Sequence, residues 1–111
     1  MELARKAANL LEDKKGEDII LMDIHEISDF ADYFVICTGT SDRMLRALAD
    51  DLIEQIMKQA QVHARLEGEP EGGWILVDFG DVIVHLFSPD RRDYYRLEEL
   101  WGRGKILLRL Q

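Results

Sequence analysis

The stretch from Trp74 to Phe87, WILVDFGDVIVHLF, constrains the fold of this chain most strongly. Two runs of β-branched and aromatic residues flank the four residues DFGD, and a glycine beside aspartates favours a tight turn between two strands. The pattern therefore predicts an antiparallel hairpin in which Phe79 packs beside the turn. Alternation along the second strand places His85 on the same face as Ile83.

The tripeptide Asp78-Phe79-Gly80 also marks the metal-binding turn of protein kinases. A kinase needs, in addition, a glycine-rich phosphate loop, a strand lysine and a catalytic-loop aspartate and asparagine. The 111 residues contain no such set of motifs. We therefore interpret the tripeptide as turn chemistry. Asp78 and Asp81 flank the turn and can still approach each other, which leaves a divergent enzyme as an alternative.

Helical periodicity and β-branched runs define the other elements. The segment 67–73, rich in glycine and acids, is predicted to be a surface loop, and KILLRL at 105–110 is predicted to be a frayed strand or a docking tail. The predicted helices cover residues 2–14, 41–58 and 89–101, and the predicted strands cover 18–24, 33–38, 62–66 and the two arms of the hairpin.

This order of elements predicts an α/β fold with a single mixed β-sheet of about five strands flanked by helices. The helix after strand 33–38 is long enough to connect it to a parallel strand at 62–66. The composition, 47% hydrophobic and 32% charged, suits one compact domain with a small core. We expect residues 1–111 to form that domain.

The charge of the chain bears on its partners. It has 22 acidic and 14 basic side chains and a formal net charge of -8. Proteins bind nucleic acid largely through Lys and Arg on the phosphates, so we expect little direct nucleic-acid contact. The acidic charge would attract a basic protein partner, but an acidic surface is also common simply because it keeps a protein soluble.

Targeting signals and the single cysteine bear on the compartment. The sequence has no apolar stretch near the ~20 residues that span a bilayer and no signal-peptide core, so we expect a cytoplasmic protein without membrane contact. The lone Cys37 excludes an intramolecular disulfide and is expected to be buried.

The turn at residues 39–41 lies between a strand and a helix, where many α/β enzymes hold phosphates on free backbone amides. It lacks the lysine of Walker-type loops, and Asp42 in the first helical turn would repel a phosphate. Nucleotidyltransferases need paired carboxylates on the next strand, whereas Asp50 and Asp51 lie in a helical pattern and diverge by about 100°. We predict no catalytic residue, no cofactor and no metal site.

Trp74 and Trp101 are candidate contact residues. Trp74 begins a strand after a glycine pair, and Trp101 closes the last predicted helix. Exposed aromatic residues near acids are typical anchors of protein interfaces, because a ring buries a large area at low entropy cost. The alternative is that both rings cap the small core. His25, His63 and His85 lack metal-ligand spacing, and we expect His85 to be hydrogen-bonded and partly covered.

Three ordered stretches, DYFVICTGTSDRMLRALADDL, GWILVDFGDVIVHLF and YYRLEELW, resemble the ribosomal silencing factor family, also called the Iojap family. The resemblance covers residues 3–101. It implies a small α/β fold similar to nucleotidyltransferases but without their catalytic acids. It also implies a translational repressor and not an enzyme. Family members bind the fourteenth protein of the large ribosomal subunit, block joining of the small subunit when nutrients are scarce, and often form homodimers when free.

The same resemblance suggests partner contacts by position in the motifs. Tyr33, Asp42 and Arg43 of the first motif are further candidates that can equally be structural. Two other classes stay open: a divergent nucleotidyltransferase-like enzyme and a generic homodimeric interaction module. The implied partner-binding residues are Trp74, Asp78, Asp81 and His85 in the hairpin motif and Tyr94, Glu98 and Trp101 in the terminal helix motif.

Overall fold

The computed structural model describes residues 1–110. No helix in this range is long and apolar enough to cross a membrane. A short 3₁₀ turn at Pro70–Gly72 joins two of the strands. The helices are α1 (Glu2–Asp13), α2 (Asp42–Gln59), α3 (Pro89–Tyr95) and α4 (Leu97–Leu100), and the strands are β1 (Glu17–Asp23), β2 (Tyr33–Thr38), β3 (Arg65–Glu69), β4 (Trp74–Asp78), β5 (Val82–Phe87) and β6 (Lys105–Leu110).

These strands form one mixed sheet in the order β3-β4-β5-β2-β1-β6. In the middle, β2 and β5 are parallel, with Tyr33 opposite Val82 and Thr38 opposite Phe87. The other neighbouring strands are antiparallel. The predicted α/β fold with a single mixed sheet is confirmed, and the sheet has six strands because the KILLRL segment pairs with β1.

The predicted parallel pairing of strands 33–38 and 62–66 is wrong. The second of these strands runs from Arg65 to Glu69, takes in part of the predicted loop, and lies at the sheet edge antiparallel to β4. The parallel partner of β2 is β5 instead. Every residue of β5 is buried and every residue of β3 is exposed. Central positions in a sheet suit strands that can be buried on both faces.

The β4–β5 hairpin forms where the sequence predicts it. Gly80 has a φ of +95°, a conformation that glycine adopts without steric cost. The Asp78 carboxylate accepts a hydrogen bond from the Gly80 amide at 2.7 Å. The Phe79 amide donates to the Val82 carbonyl at 2.9 Å, and the Phe79 ring is buried. Turn chemistry thus accounts for the Asp-Phe-Gly tripeptide.

The two faces of the sheet carry separate hydrophobic clusters. On the first face, α1 and α2 pack against the strands through residues such as Leu11, Leu52 and Val84. Cys37 is buried in this cluster, where desolvation raises the pKa of its thiol to about 12. The second face carries a smaller cluster around Phe34. Helix α4 contributes Leu97 to it.

The predicted helix over residues 89–101 is interrupted at Arg96, which has a φ of +47°. Non-glycine residues adopt this left-handed conformation only at a cost that tertiary contacts must offset. The break lets Leu97 turn into the second cluster. The spacing of Tyr94, Leu97 and Trp101 would place them on one face of an unbroken helix. Because of the break they do not share one face, and Tyr94 is left exposed.

Candidate functional site

A row of aromatic side chains crosses the second face of the sheet. Consecutive ring centroids lie 4.7, 5.9, 4.6, 5.2 and 5.8 Å apart, within the range of favourable aromatic pairs. We call this set the aromatic row; in order it contains Tyr95, Trp74, His85, Phe34, Trp101 and Phe30.

Strand register explains how distant parts of the chain build this row. Residue alternation puts Trp74 and Leu76 on the second face of β4, and Leu76 lies opposite His85 of β5. The parallel β2–β5 pair then sets Phe34 opposite Ile83. Three neighbouring strands therefore each present an aromatic ring on the same face.

Exposure increases from the middle of the row to its ends. His85 and Phe34 are buried, Trp74 and Trp101 are half-buried, and Phe30 is 58% exposed. The two tryptophans therefore have features of both a core cap and an exposed contact residue. Each packs on the small second cluster, and each keeps part of its surface accessible.

His85 accepts a hydrogen bond at Nδ1 from the indole Nε1–H of Trp74, at 3.2 Å. The imidazole hydrogen must then lie on Nε2, and Nε2 has no hydrogen-bond partner among the described residues. Burial lowers the pKa of His85 to about 3, so its ring is neutral at physiological pH. The predicted hydrogen bond is present, and the ring is more deeply buried than the sequence suggests.

Acidic side chains lie beside the Phe30 end of the row. The backbone carbonyl of Asp81 accepts hydrogen bonds from the Asp32 and Tyr33 amides at 2.8 and 3.0 Å, which joins the hairpin turn to the segment before β2. Asp81 is exposed and Asp78 is half-buried. We call the acids of these two connected segments the acidic rim; they are Asp29 and Asp32 before β2 and Asp78 and Asp81 at the hairpin turn.

Glu98 faces into the molecule. Its carboxylate lies 3.4 Å from Nε of Arg92, a buried arginine on α3. Arg92 also donates a hydrogen bond from Nη1 to the Thr38 hydroxyl at 2.9 Å, and its Nη2 lies 3.7 Å from the Asp18 carboxylate. Glu98 thus helps to hold α3 and α4 against the end of the sheet.

Arg92 is a residue that the sequence reasoning missed. It follows Arg91 directly, and nothing in the pattern says which of the two arginines points inward. Arg91 is exposed. The choice depends on how α3 packs against the end of the sheet, where Arg92 reaches Thr38, and this packing is a tertiary effect.

The remaining candidates are scattered. Tyr94 is 74% exposed and packs edge-on against Tyr95 with ring centroids 5.0 Å apart. Tyr33 packs against the cluster on the first face. Asp42 and Arg43 are exposed in the first turn of α2. The structure therefore brings Trp74, His85 and Trp101 together in one surface but leaves Tyr33, Asp42 and Arg43 outside it.

The surroundings of the aromatic row are shallow and largely apolar. Over residues 1–110, no three His, Cys, Asp or Glu side chains are close enough together to hold a metal ion. Beside the row, Trp74 and Leu76 line a shallow cavity of about 220 Å³ with Glu67 and Gly68. What the arrangement offers is an apolar, partly open surface with acids at one end.

Known proteins identify the fold and the family. The family model described as "Ribosomal silencing factor during starvation" matches residues 1–109. The chain belongs to the ribosomal silencing factor family. It is 46% identical over 100 residues to the ribosomal silencing factor RsfS of Bacillus subtilis, a match that covers 90% of this chain and 85% of that protein.

Two crystal structures of proteins that are about 40% identical to this chain share the fold. A Chromobacterium violaceum protein matches with a TM-score of 0.84 at 41% identity, over 91% of this chain and 84% of its own. A Bacillus halodurans protein matches with a TM-score of 0.77 at 40% identity, over 90% of this chain and 93% of its own. The family resemblance seen in the three sequence motifs is thereby confirmed.

Proposed function

We propose that this protein is a translational repressor that binds the large ribosomal subunit and sterically blocks joining of the small subunit, lowering translation under nutrient limitation. The observation that carries the proposal, beyond family membership, is the aromatic row with its half-open ends and the acidic rim beside it. Such a surface suits docking on another protein and requires no reaction.

The chemistry of the surface defines the partner. Partly buried tryptophans anchor interfaces because they desolvate a large area with few rotatable bonds. The rim acids and the net charge of -8 favour a basic protein surface and disfavour bare RNA. We assign this role to the fourteenth protein of the large subunit, which is the partner that the family resemblance implies.

The molecule is large enough to block joining of the small subunit sterically. Its principal extents are 34 × 33 × 24 Å. An interface of ordinary size, ~800 Å² per partner, fits on one face of a molecule of these dimensions. If the binding site lies where the two subunits meet, the bound protein occupies space that the small subunit needs.

Further properties follow from the proposal. We place the protein in the cytoplasm, with residues 1–111 as one ribosomal silencing factor domain. We also propose that it forms a homodimer when free. Tyr94, Leu100 and Phe30 expose apolar surface around the second face, and a second copy would cover it until the ribosomal subunit competes for the same residues.

The test is co-sedimentation with purified large subunits and with assembled ribosomes. We expect binding to free large subunits only, and we expect Trp74→Ala to weaken it at least about tenfold, or about 1.4 kcal/mol. The matched control is Met57→Ala, which truncates an exposed apolar residue of α2, with thermal unfolding to show that both variants fold. Equal binding to assembled ribosomes, or normal binding by a folded Trp74→Ala protein, contradicts the proposal.

A further inference from the structure

We propose that His85 is a positioning residue that holds the indole of Trp74 in the orientation required for binding. The inference rests on the proposed function, in which Trp74 is an anchor of the interface. Its structural basis is the hydrogen bond from the indole Nε1–H to Nδ1 of His85, at 3.2 Å. The acceptor comes from the centre of the sheet, and the donor comes from a half-buried residue at the start of β4.

The core fixes the position of the acceptor. His85 is 4% exposed, and its imidazole meets the Phe34 ring edge-to-face at a centroid distance of 4.6 Å. The same imidazole lies nearly parallel to the Phe87 ring, 6.1 Å away with an interplanar angle of 10°. A ring held between two phenylalanines cannot turn freely, so Nδ1 is a rigid reference point for Trp74.

Stability alone does not account for a histidine at this position. The Nε2–H has no hydrogen-bond partner in the described part of the chain, and a buried donor without a partner destabilises a fold. An apolar residue of similar size would pack between the phenylalanines without that cost. What the histidine adds is an acceptor for Trp74. Because burial lowers the pKa of His85 to about 3, the Nδ1 lone pair stays available at physiological pH.

The remaining contacts of Trp74 hold the ring without selecting its orientation. The indole packs on Phe87 and Tyr95 with centroid distances of 4.9 and 4.7 Å, and such contacts depend less on direction than a hydrogen bond does. A directional hydrogen bond selects one orientation. An anchor already ordered in the free protein loses less side-chain entropy on binding, which raises affinity.

The first experiment uses the unmodified protein. Nitrogen-15 NMR of the imidazole should show the tautomer with hydrogen on Nε2, and the Trp74 indole N–H should be protected from solvent exchange. Trp74→Phe identifies its signal, since the chain has two tryptophans. Hydrogen on Nδ1, or an unprotected indole N–H, overturns the inference without reference to any partner.

The second experiment is a double-mutant cycle read out by large-subunit binding. His85→Asn keeps an acceptor close to the position of Nδ1, whereas His85→Leu removes it. We expect His85→Leu to weaken binding about tenfold, or about 1.4 kcal/mol, and His85→Asn to restore most of the affinity. In a Trp74→Phe background the two His85 variants should bind equally, because no indole donor remains. A purely structural role would weaken binding equally in both backgrounds.

The outcomes separate this inference from the proposed function. Failure of the wild-type protein to bind large subunits overturns the proposed function and the binding role of His85 together. Wild-type binding with an unchanged affinity of folded His85→Leu overturns the inference alone. If His85→Leu does not fold, His85→Gln, whose acceptor lies one bond further out, replaces it with the same expected loss relative to His85→Asn.

Discussion

At the scale of single residues, the histidine at the centre of the aromatic row is the most informative. Burial lowers the pKa of His85 and keeps its imidazole neutral. The rings that cover it, Phe34 and Trp74, come from two other strands. Sequence patterning placed it on the correct face of β5, because alternation is a local property. Its depth could not be predicted, because Phe34 is about fifty positions earlier in the chain and nothing local says that β2 lies beside β5.

The lowered pKa of His85 predicts a specific acid sensitivity. The unfolded chain binds a proton at this residue near pH 6.5, and the folded protein does so only near pH 3. The contribution of His85 to stability is therefore constant above pH 6.5 and falls by up to about 1.4 kcal/mol per pH unit between pH 6.5 and about pH 3. Urea unfolding between pH 7 and pH 4 should show a steeper loss for the wild type than for His85→Asn.

The exposed His63 offers the control for this measurement. His63→Asn should keep the steep dependence of the wild type. His25 acts in the opposite direction, since its hydrogen bond with Asp23 raises its pKa, but it is the same in all three proteins and cancels. Parallel curves for wild type and His85→Asn would show that the imidazole is not buried as described.

At the scale of helices and strands, the sequence predicts well the features that neighbouring residues determine. It predicts poorly the features that depend on a comparison between distant segments. The hairpin and α2 depend on turn residues, capping by Ser41 and helical spacing, all of which are readable in the chain. The edge position of β3 depends on its being more polar than β5, which is a comparison between distant segments. The break at Arg96 depends on the burial of Arg92 and Leu97.

The hairpin turn gives an element-scale prediction. Gly80 has a positive φ, and an alanine there must adopt a left-handed conformation that costs roughly 1–2 kcal/mol. We expect Gly80→Ala to lower the free energy of unfolding by about that amount in urea denaturation. The matched control is Gly72→Ala, where an added methyl also meets no neighbour but no positive φ is required. Equal stability of the two variants would contradict the proposed turn geometry.

The aromatic row itself shows where prediction from sequence ends for the site. Trp74, His85 and Trp101 lie in the sequence motifs and are predicted contact residues on that basis. Phe34, Phe30 and Tyr95 were not, since a phenylalanine in a buried strand looks like any core residue. Only the register of β4, β5 and β2 joins these residues into one surface.

At the scale of the whole molecule, charge and the aromatic row would contribute to the proposed binding in different ways. In the proposed complex, the acidic rim and the net charge of -8 act at long range, and the aromatic row acts on contact. Complementary charge at an interface rim affects association more than dissociation. The order of these events predicts distinct kinetic effects for the two parts of the surface.

Charge removal at the rim tests this division. Asp29→Asn combined with Asp81→Asn should lower the association rate with large subunits several-fold at low salt and leave the dissociation rate nearly unchanged. The difference should vanish as salt shortens the Debye length from about 30 Å at 0.01 M to about 8 Å at 0.15 M. Asp50→Asn, an exposed acid on α2, is the control. An effect mainly on dissociation would place the acids inside the interface.

The order of strands in the sheet has a consequence for how the chain folds. The neighbours β2 and β5, and likewise β1 and β6, lie far apart in the sequence. Closing such long loops costs entropy before the contacts between the strands compensate for it, so sheets of this kind form more slowly than helical bundles. The aromatic row is therefore complete only after the β2–β5 pair has formed.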